Sequence, residues 1–483
     1  MPTLQFGEWR PDVADYQQGH SKTITNVVAR GDGYGPVKAL QAFSDAMGAA
    51  CRGAFVATNA DGSIAIFAGT STGLFKMSNT DLSWEDVSSG TYNLASSDQW
   101  SFAQFGLDVI AVNQNDAPQR YTLGSSTDFA ALAGSPPQGA YVTVVSNHLV
   151  ISGILNNPDR IAWSALNDIA TWSAGVDGAD TQDFQDGGEV RGVAGGEFGV
   201  VFQSEAIRRM VYVGGDTIFE FERIVEGEGL AAPYSVIRSG PRVFFLGTSG
   251  FQSITAGQYP VSISKERFYR TFLADWDEGS PQLMIGANEA ETSRVWWFYK
   301  SSSGAAGLFN RAICYDWALD RPSYVTGISG EYVAALAQPG VTLEGLVTLG
   351  FTNIDTMSIS LDDFAASGGL LLGVFGSDHA MGFLTGANLE ATVETPDYAF
   401  DKRYFVRAQR PVTDAATVYG SFSTRARIAD TPVQSDESAM NSVGFCPHRA
   451  DTRMARFRLR IPASTTWTYV LGTEPEATTT GAQ

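Results

Sequence analysis

The sequence predicts an all-β protein: a β-propeller of six to eight blades, seven by direct count, followed by an antiparallel β-sandwich platform. Three observations predict it. Short apolar strands recur in sets of three with a period of 40 to 50 residues, which marks a radial or stacked β architecture. In four consecutive sets the second strand begins seven residues after the first. Near residue 368 this spacing gives way to longer strands of alternating character.

The sets follow in order. First strands begin near Gly53 (GAFVA), Ser101 (SFAQF), Tyr141 (YVTVV), Arg191 (RGVAG), Ser235 (SVIRS), Leu283 (LMIGA) and Val333 (VAALA). Second strands begin at Ile64, Asp108, His148, Phe198, Arg242 and Arg294. Third strands are GLFKMS, QRYTLG, RIAWSA, IRRMVYVG, GFQSIT and AICYDW. β-Branched and aromatic residues fill these runs, and Gly, Asn, Asp or Ser mostly bound them, as half-buried strands with tight turns require. Residues 1–50 hold a short strand, TITNVVA, and the loop GDGYGP, placed to close the propeller or to join the platform. The propeller is expected over 51–367 and the platform over 368–483, ending in a mobile tail, EPEATTTGAQ. Within the platform, Arg456, Arg458 and Arg460 alternate with Phe457, Leu459 and Ile461, the period of a strand with one face buried.

Composition fits a large soluble β protein. The chain has 483 residues, 44% of them hydrophobic, and 51 glycines, enough for a sizeable core and many turns. No apolar run is long enough to span a bilayer, and MPTLQFGEWRPD lacks the basic and apolar regions of a secretory signal. Cys51, Cys314 and Cys446 are widely spaced and without a CxxC, so they read as buried free thiols of a protein made in a reducing cytoplasm. The net charge of −20 is uneven: residues 390–483 carry eleven acidic and eleven basic side chains, leaving 41 acidic against 21 basic in 1–389. Such a surface repels duplex DNA, which excludes tight binding but not passage; solubility alone is an equal explanation.

No motif assigns a catalytic, cofactor or metal residue, and no cofactor is expected. His20, His148, His379 and His448 are scattered, with no HxH or HExxH. There is no GxxxxGK[ST] and no strand-linked GxGxxG. GTSTG around Ser71 matches GxSxG, but a nucleophile elbow needs a following helix and GLFKMS reads as a strand, so a hairpin is expected. In DGADTQDFQDGGE the carboxylates Asp177, Asp180, Asp183, Asp186 and Glu189 fall three apart, whereas an EF-hand uses two-residue spacing; a solvated loop with Asx turns fits better. In RIAWSALNDIATW, Arg160, Trp163, Asp168 and Trp172 read as turn and core packing. The segment differs from the Asp-box of sialidase-like propellers, which has five-residue spacing and a Gly.

Four stretches carry a family resemblance. FGEW with TITNVVARGDGYGPV, WSFAQFGLDVIAVNQNDAPQRY, DRIAWSALNDIATW, and AIRRMVYVGG with RMARFRLRIPASTTWTYVLG together resemble the tail nozzle proteins of short-tailed bacteriophages, also called tail tubular protein B or packaged-DNA stabilisation protein. The resemblance implies a non-enzymatic virion protein, assembled in the host cytoplasm. On that resemblance it would form a six-fold ring at the distal end of the tail, against the tail adaptor and other tail proteins. DNA would pass the ring without tight binding. On that reading the 177–189 loop and the Asp362–Phe364 turn are candidates for the lumen, and Arg453, Arg456, Arg458 and Arg460 for inter-subunit contacts. Two other classes compete: a glycan-binding or glycan-cleaving surface propeller, and an intracellular interaction scaffold.

Overall fold

A computed structural model describes residues 3–14, 19–215, 217–255, 257–289, 291–338, 346–347, 350–351, 353, 355 and 370–480. Among them, seven four-stranded antiparallel sheets form a propeller. Blades one to five are separate sheets spanning residues 54–86, 101–131, 139–183, 190–226 and 237–262. Blade six uses Ile285–Glu289, Arg294–Tyr299, Phe309–Asp316 and the first half of Arg321–Ala337. The second half of that 17-residue strand opens blade seven and pairs with Leu370–Gly376, which pairs with Ala380–Phe383. The fourth strand of blade seven, Gln41–Ala46, comes from the N-terminal segment, so the ring is closed by chain from both sides of the propeller. The named helix is small: Tyr269–Asp275.

The first three strands of the sets fall where the sequence places them. The fourth strands are new, and their composition explains why: Trp84–Asp86, Ala130–Ala131, Asp180–Asp183 and Val261–Ser262 are short and mostly exposed. The boundary expected at residue 368 is corrected. Leu370–Gly376 and Ala380–Phe383 are buried on both faces from Leu372 onward, as the middle strands of a blade must be, and they belong to blade seven.

Core packing repeats once per seam. Each pair of adjacent blades encloses its own apolar cluster, from Phe67, Trp100 and Val109 between blades one and two to Phe43, Phe375, Met381 and Ile66 between blades seven and one. Trp100 shows how close the packing is. Its indole donates to Thr70 O at 2.7 Å, and a Cβ added at Gly69 would lie 2.3 Å from the ring. Only Gly fits there.

The platform is built on Tyr398–Thr413 and Cys446–Ile461, 16 residues each, with Ala391–Glu394, Tyr419–Arg425 and Val470–Thr479 alongside; the tail expected to be mobile from Glu474 is corrected, since Glu474–Thr479 pair with Tyr404–Arg410. N-terminal residues join it: Leu4–Gln5 pairs with Val470–Thr479, and Ile24–Thr25 bridges Ala391–Glu394 and Tyr324. The buried face of the Cys446–Ile461 strand enters two cores. Phe457 packs with Val406 and Phe422, while Leu459 and Ile461 share a cluster with Phe251 and Trp297 of the propeller.

The opposite face holds the arginines expected between subunits, and most are engaged within the chain. Arg456 reaches Asp397 at 3.1 Å, Arg458 reaches Glu394 at 3.0 Å, and Arg460 reaches Glu437 at 2.7 Å and Glu390 at 2.9 Å. Arg425 is the second partner of Asp397. Arg453 lies exposed on the same strand but also has an interaction partner, so none of the four is a free group awaiting a neighbour. The cause is pairing: Glu390 and Glu394 flank or lie in the strand beside Cys446–Ile461 and meet its outward side chains.

Two expectations follow. Asp397→Ala strands Arg425, whose side chain is 5% exposed, and is expected to lower the free energy of unfolding by about 3 kcal/mol in urea titration. His448 lies against Phe422, and burial pulls its imidazole down to about 4. The unfolded chain therefore binds the proton first. Stability is fully present above about pH 6.5 and falls as pH drops towards 4, by up to about 3 kcal/mol. Thermal melts of His448→Phe and the natural chain should converge above pH 7 and diverge below pH 6.

Candidate functional site: the central cavity and the charged rims

The first strands of all seven blades face one cavity of about 860 Å³. Successive inner strands place Phe55, Phe102, Tyr141, Val193, Arg238, Ile285 and Tyr332 on its wall. Phe55 and Phe102 stack with centroids 6.0 Å apart, and Tyr141 lies 6.0 Å from Tyr234. Burial raises the phenols of Tyr141, Tyr234 and Tyr332, so all three are neutral hydroxyls at physiological pH. The Arg238 guanidinium lies against Gly196, in space that a side chain there would fill, and its Nε donates to Gly240 O at 3.1 Å. Glu197 is the one carboxylate among the described lining residues, which include no His, Cys or Lys. The wall offers aromatic faces, hydroxyls and a guanidinium.

A polar network stands behind this wall. The Gln99 amide donates to Tyr234 Oη at 2.8 Å, and its side chain donates to Gln282 O at 3.0 Å. Arg52 donates to Gln99 Oε1 at 3.0 Å and to the carbonyls of Ala95, Ser96 and Asp98. These bonds fix the approach to blade two against blades five and six.

The acidic 177–189 segment lies elsewhere. Asp180 and Asp183 sit on Asp180–Asp183, the outermost strand of blade three, and the segment then crosses to blade four. Three of its carboxylates are paired: Asp183 with Arg160, Asp186 with Arg208 and Arg223, and Glu189 with Arg191 at 2.8 Å. The hydrogen bonds from Arg160 hold the Asp183 carboxyl below its ordinary range. The three-residue spacing therefore does not produce a uniform negative stripe, because each acid meets a different strand. The Asp362–Phe364 turn lies outside the described residues.

The Trp-flanked motif is structural. Trp163 donates to Gly178 O at 2.9 Å and packs edge-on to Phe219. Asp168 accepts from the Ala170 amide at 2.8 Å and from Thr171 Oγ1 at 2.7 Å, bonds that keep its carboxyl ionised below the usual range. Trp172 is buried and donates to Ile169 O. Ser71 lies in the hairpin between Ile64–Gly69 and Leu74–Met77. The histidines are far apart in role: His148 Nδ1 is 2.7 Å from Ser164 O, and His379 Nδ1 is 2.6 Å from Glu331 Oε1. Among the described residues, no three His, Cys, Asp or Glu side chains come together as a metal site would need. No described helix is long and apolar enough to cross a membrane. All three cysteines are free and buried, and burial pushes the Cys446 thiol up to about 11.

Sequence reasoning missed the Glu331 clasp. Glu331 Oε2 accepts the Cys51 amide at 2.9 Å while Oε1 meets His379, joining the start of blade one to the turn before Ala380–Phe383. Burial raises the Glu331 carboxyl above its ordinary value. Cys51 is 280 positions from Glu331, and Glu331 is 48 from His379, so no local pattern signals them.

No protein-family model and no curated protein sequence matches the chain. Similar solved structures include BamB from Moraxella catarrhalis, at TM-score 0.36 and 11% identity over 71% of this chain and 96% of that one. A computationally designed protein, Ika8, gives TM-score 0.37 and 8% identity over 78% and 98%. YCF48 bound to a D1 peptide gives 0.35 and 11% over 60% and 87%.

The two polar systems differ in what they hold together. Arg52→Ala leaves Gln99 and three carbonyls short of a donor and is expected to cost about 2 kcal/mol in urea unfolding. Arg160→Ala removes an ion pair on the outer blade edge and should cost less than about 1 kcal/mol.

Proposed function

We propose that this protein is a structural subunit of a short phage tail. It would be one member of a six-fold nozzle ring that contacts the tail adaptor and other tail proteins and lets genomic DNA pass without holding it. The observation that carries the reading is the path of the first fifty residues. Leu4–Gln5 and Ile24–Thr25 pair with platform strands, and Gln41–Ala46 completes blade seven, so one segment binds both bodies. Their common core, with Phe251 and Trp297 from the propeller and Leu459 and Ile461 from the platform, ties the two bodies of the subunit together, as a subunit of a closed cyclic ring would need.

Further support comes from where the family-like stretches fall. TITNVVARGDGYGPV forms the strands that join platform to propeller, and RMARFRLRIPASTTWTYVLG forms the platform's long strand and leads into the next. The net charge of −20 suits a wall that repels phosphates within a Debye length of about 8 Å. The pairing of Asp183, Asp186 and Glu189 moves that role away from the 177–189 loop as a unit and onto the wider acidic surface of the propeller.

A second reading draws on the aromatic wall of the central cavity, which suits a saccharide held by a surface propeller. Mass separates the two. Sedimentation of the purified chain, and its copy number in virions, should give six times the 51.7 kDa chain. A monomer that is absent from virions and binds oligosaccharide would overturn the tail reading.

A further inference from the structure

The outer face of the platform presents positive charge that the chain itself leaves uncompensated. Val406 pairs with Ala450 and Ala408 with Pro447, so Arg407 sits at a β-bulge on one strand and Arg449 lies between those two partners on the neighbouring strand. Both side chains are exposed, and neither forms an ion pair among the described residues. Like charges close together on neighbouring strands repel, and here they persist in a chain of net charge −20. Phe405, half-buried, stands beside them. This pair is distinct from Arg456, Arg458 and Arg460, whose carboxylates are intramolecular.

The complementary surface is the edge of blade four. Its last strand, Phe219–Glu226, has Ala206–Tyr212 on one side and, among the described residues, no further strand on the other. Glu220 and Glu222, two apart and on one side of that strand, are exposed and without an ion pair among the described residues. Val213, 49% exposed, adds apolar area at the end of the neighbouring strand, while Tyr212 turns to the other face, against Phe219 and His148. Two exposed glutamates without an ion pair on the acidic half match two exposed arginines without one on the balanced half.

We infer that the occupant of each surface is a second copy of this chain: Arg407 and Arg449 of one subunit dock on Glu220 and Glu222 of the next. The two patches differ, so the contact is heterologous, the kind that generates rings. The inference rests on the ring reading above and names its interface.

A charge swap tests it, using the full chain and sedimentation velocity, with circular dichroism to establish that each variant is folded. The natural chain should form rings. R407E/R449E alone and E220R/E222R alone should each sediment as monomers, because each confronts like charges at every contact. An equimolar mixture should regain rings, with the two variants alternating, which an even-membered ring permits. Rings that persist in either folded variant, or a mixture that stays monomeric, overturn this interface while leaving the ring reading in place. A natural chain that is monomeric at all concentrations overturns both. Unchanged rings together with salt-sensitive duplex binding that is lost in R407E/R449E would reassign the arginines to nucleic acid.

Discussion

Ring closure is the constraint on which the rest of the structure depends. A four-stranded blade has two apolar faces and can bury both only between two neighbours. The seven seam clusters are therefore interdependent, since opening any one exposes large side chains such as Trp100, Phe202 or Trp297. The weakest logical point is the seam where chain from both sides must meet. There Gln41–Ala46 supplies ladder bonds, Phe43 and Met381 supply apolar contact, and Glu331 ties Cys51 to His379. Backbone, packing and charge converge on the same few residues.

The platform follows a different logic. Its long strands bury one face in apolar cores and cover the other with ion pairs, the arginines of that face being countered by acids from adjacent strands. Ion pairs this enclosed contribute little net stability, but they penalise any register that separates the partners. The pairing of Arg456, Arg458 and Arg460 with Asp397, Glu394, Glu390 and Glu437 thus fixes how the Cys446–Ile461 strand sits against its neighbours. The propeller relies on shape for the same purpose, as the contact between Gly69 and Trp100 illustrates.

Much of this was legible in the chain, and the illegible parts have physical reasons. Inner and middle strands carry their own signal, because they are buried on one or both faces and bounded by turn residues. Outer strands such as Ala130–Ala131 carry none, since solvent on most sides imposes no pattern. Leu370–Gly376 looked like the start of a new domain because the repeat spacing is interrupted before it; only its pairing with Val333 and its neighbours shows where it belongs. The 177–189 acids and the platform arginines were recognised as charge clusters, but charge partners are set by which strands lie side by side. Arg208 and Asp186 are 22 residues apart, and Arg460 and Glu390 are 70 apart. The central cavity had no sequence signature at all, since its wall is assembled from the inner strands of all seven repeats, which share no motif.

The origin of the last strand of blade seven has a consequence for biosynthesis. Gln41–Ala46 leaves the ribosome first among the strands of that blade, while its partner Ala380–Phe383 emerges more than three hundred residues later. At ordinary elongation rates of roughly 5–20 residues per second, the segment waits on the order of tens of seconds with an unpaired edge. Until then the nascent propeller is an open arc with two bare blade faces. The fold thus creates a window during translation in which shielding by a chaperone, or slow collapse onto its own acidic surface, decides between closure and aggregation.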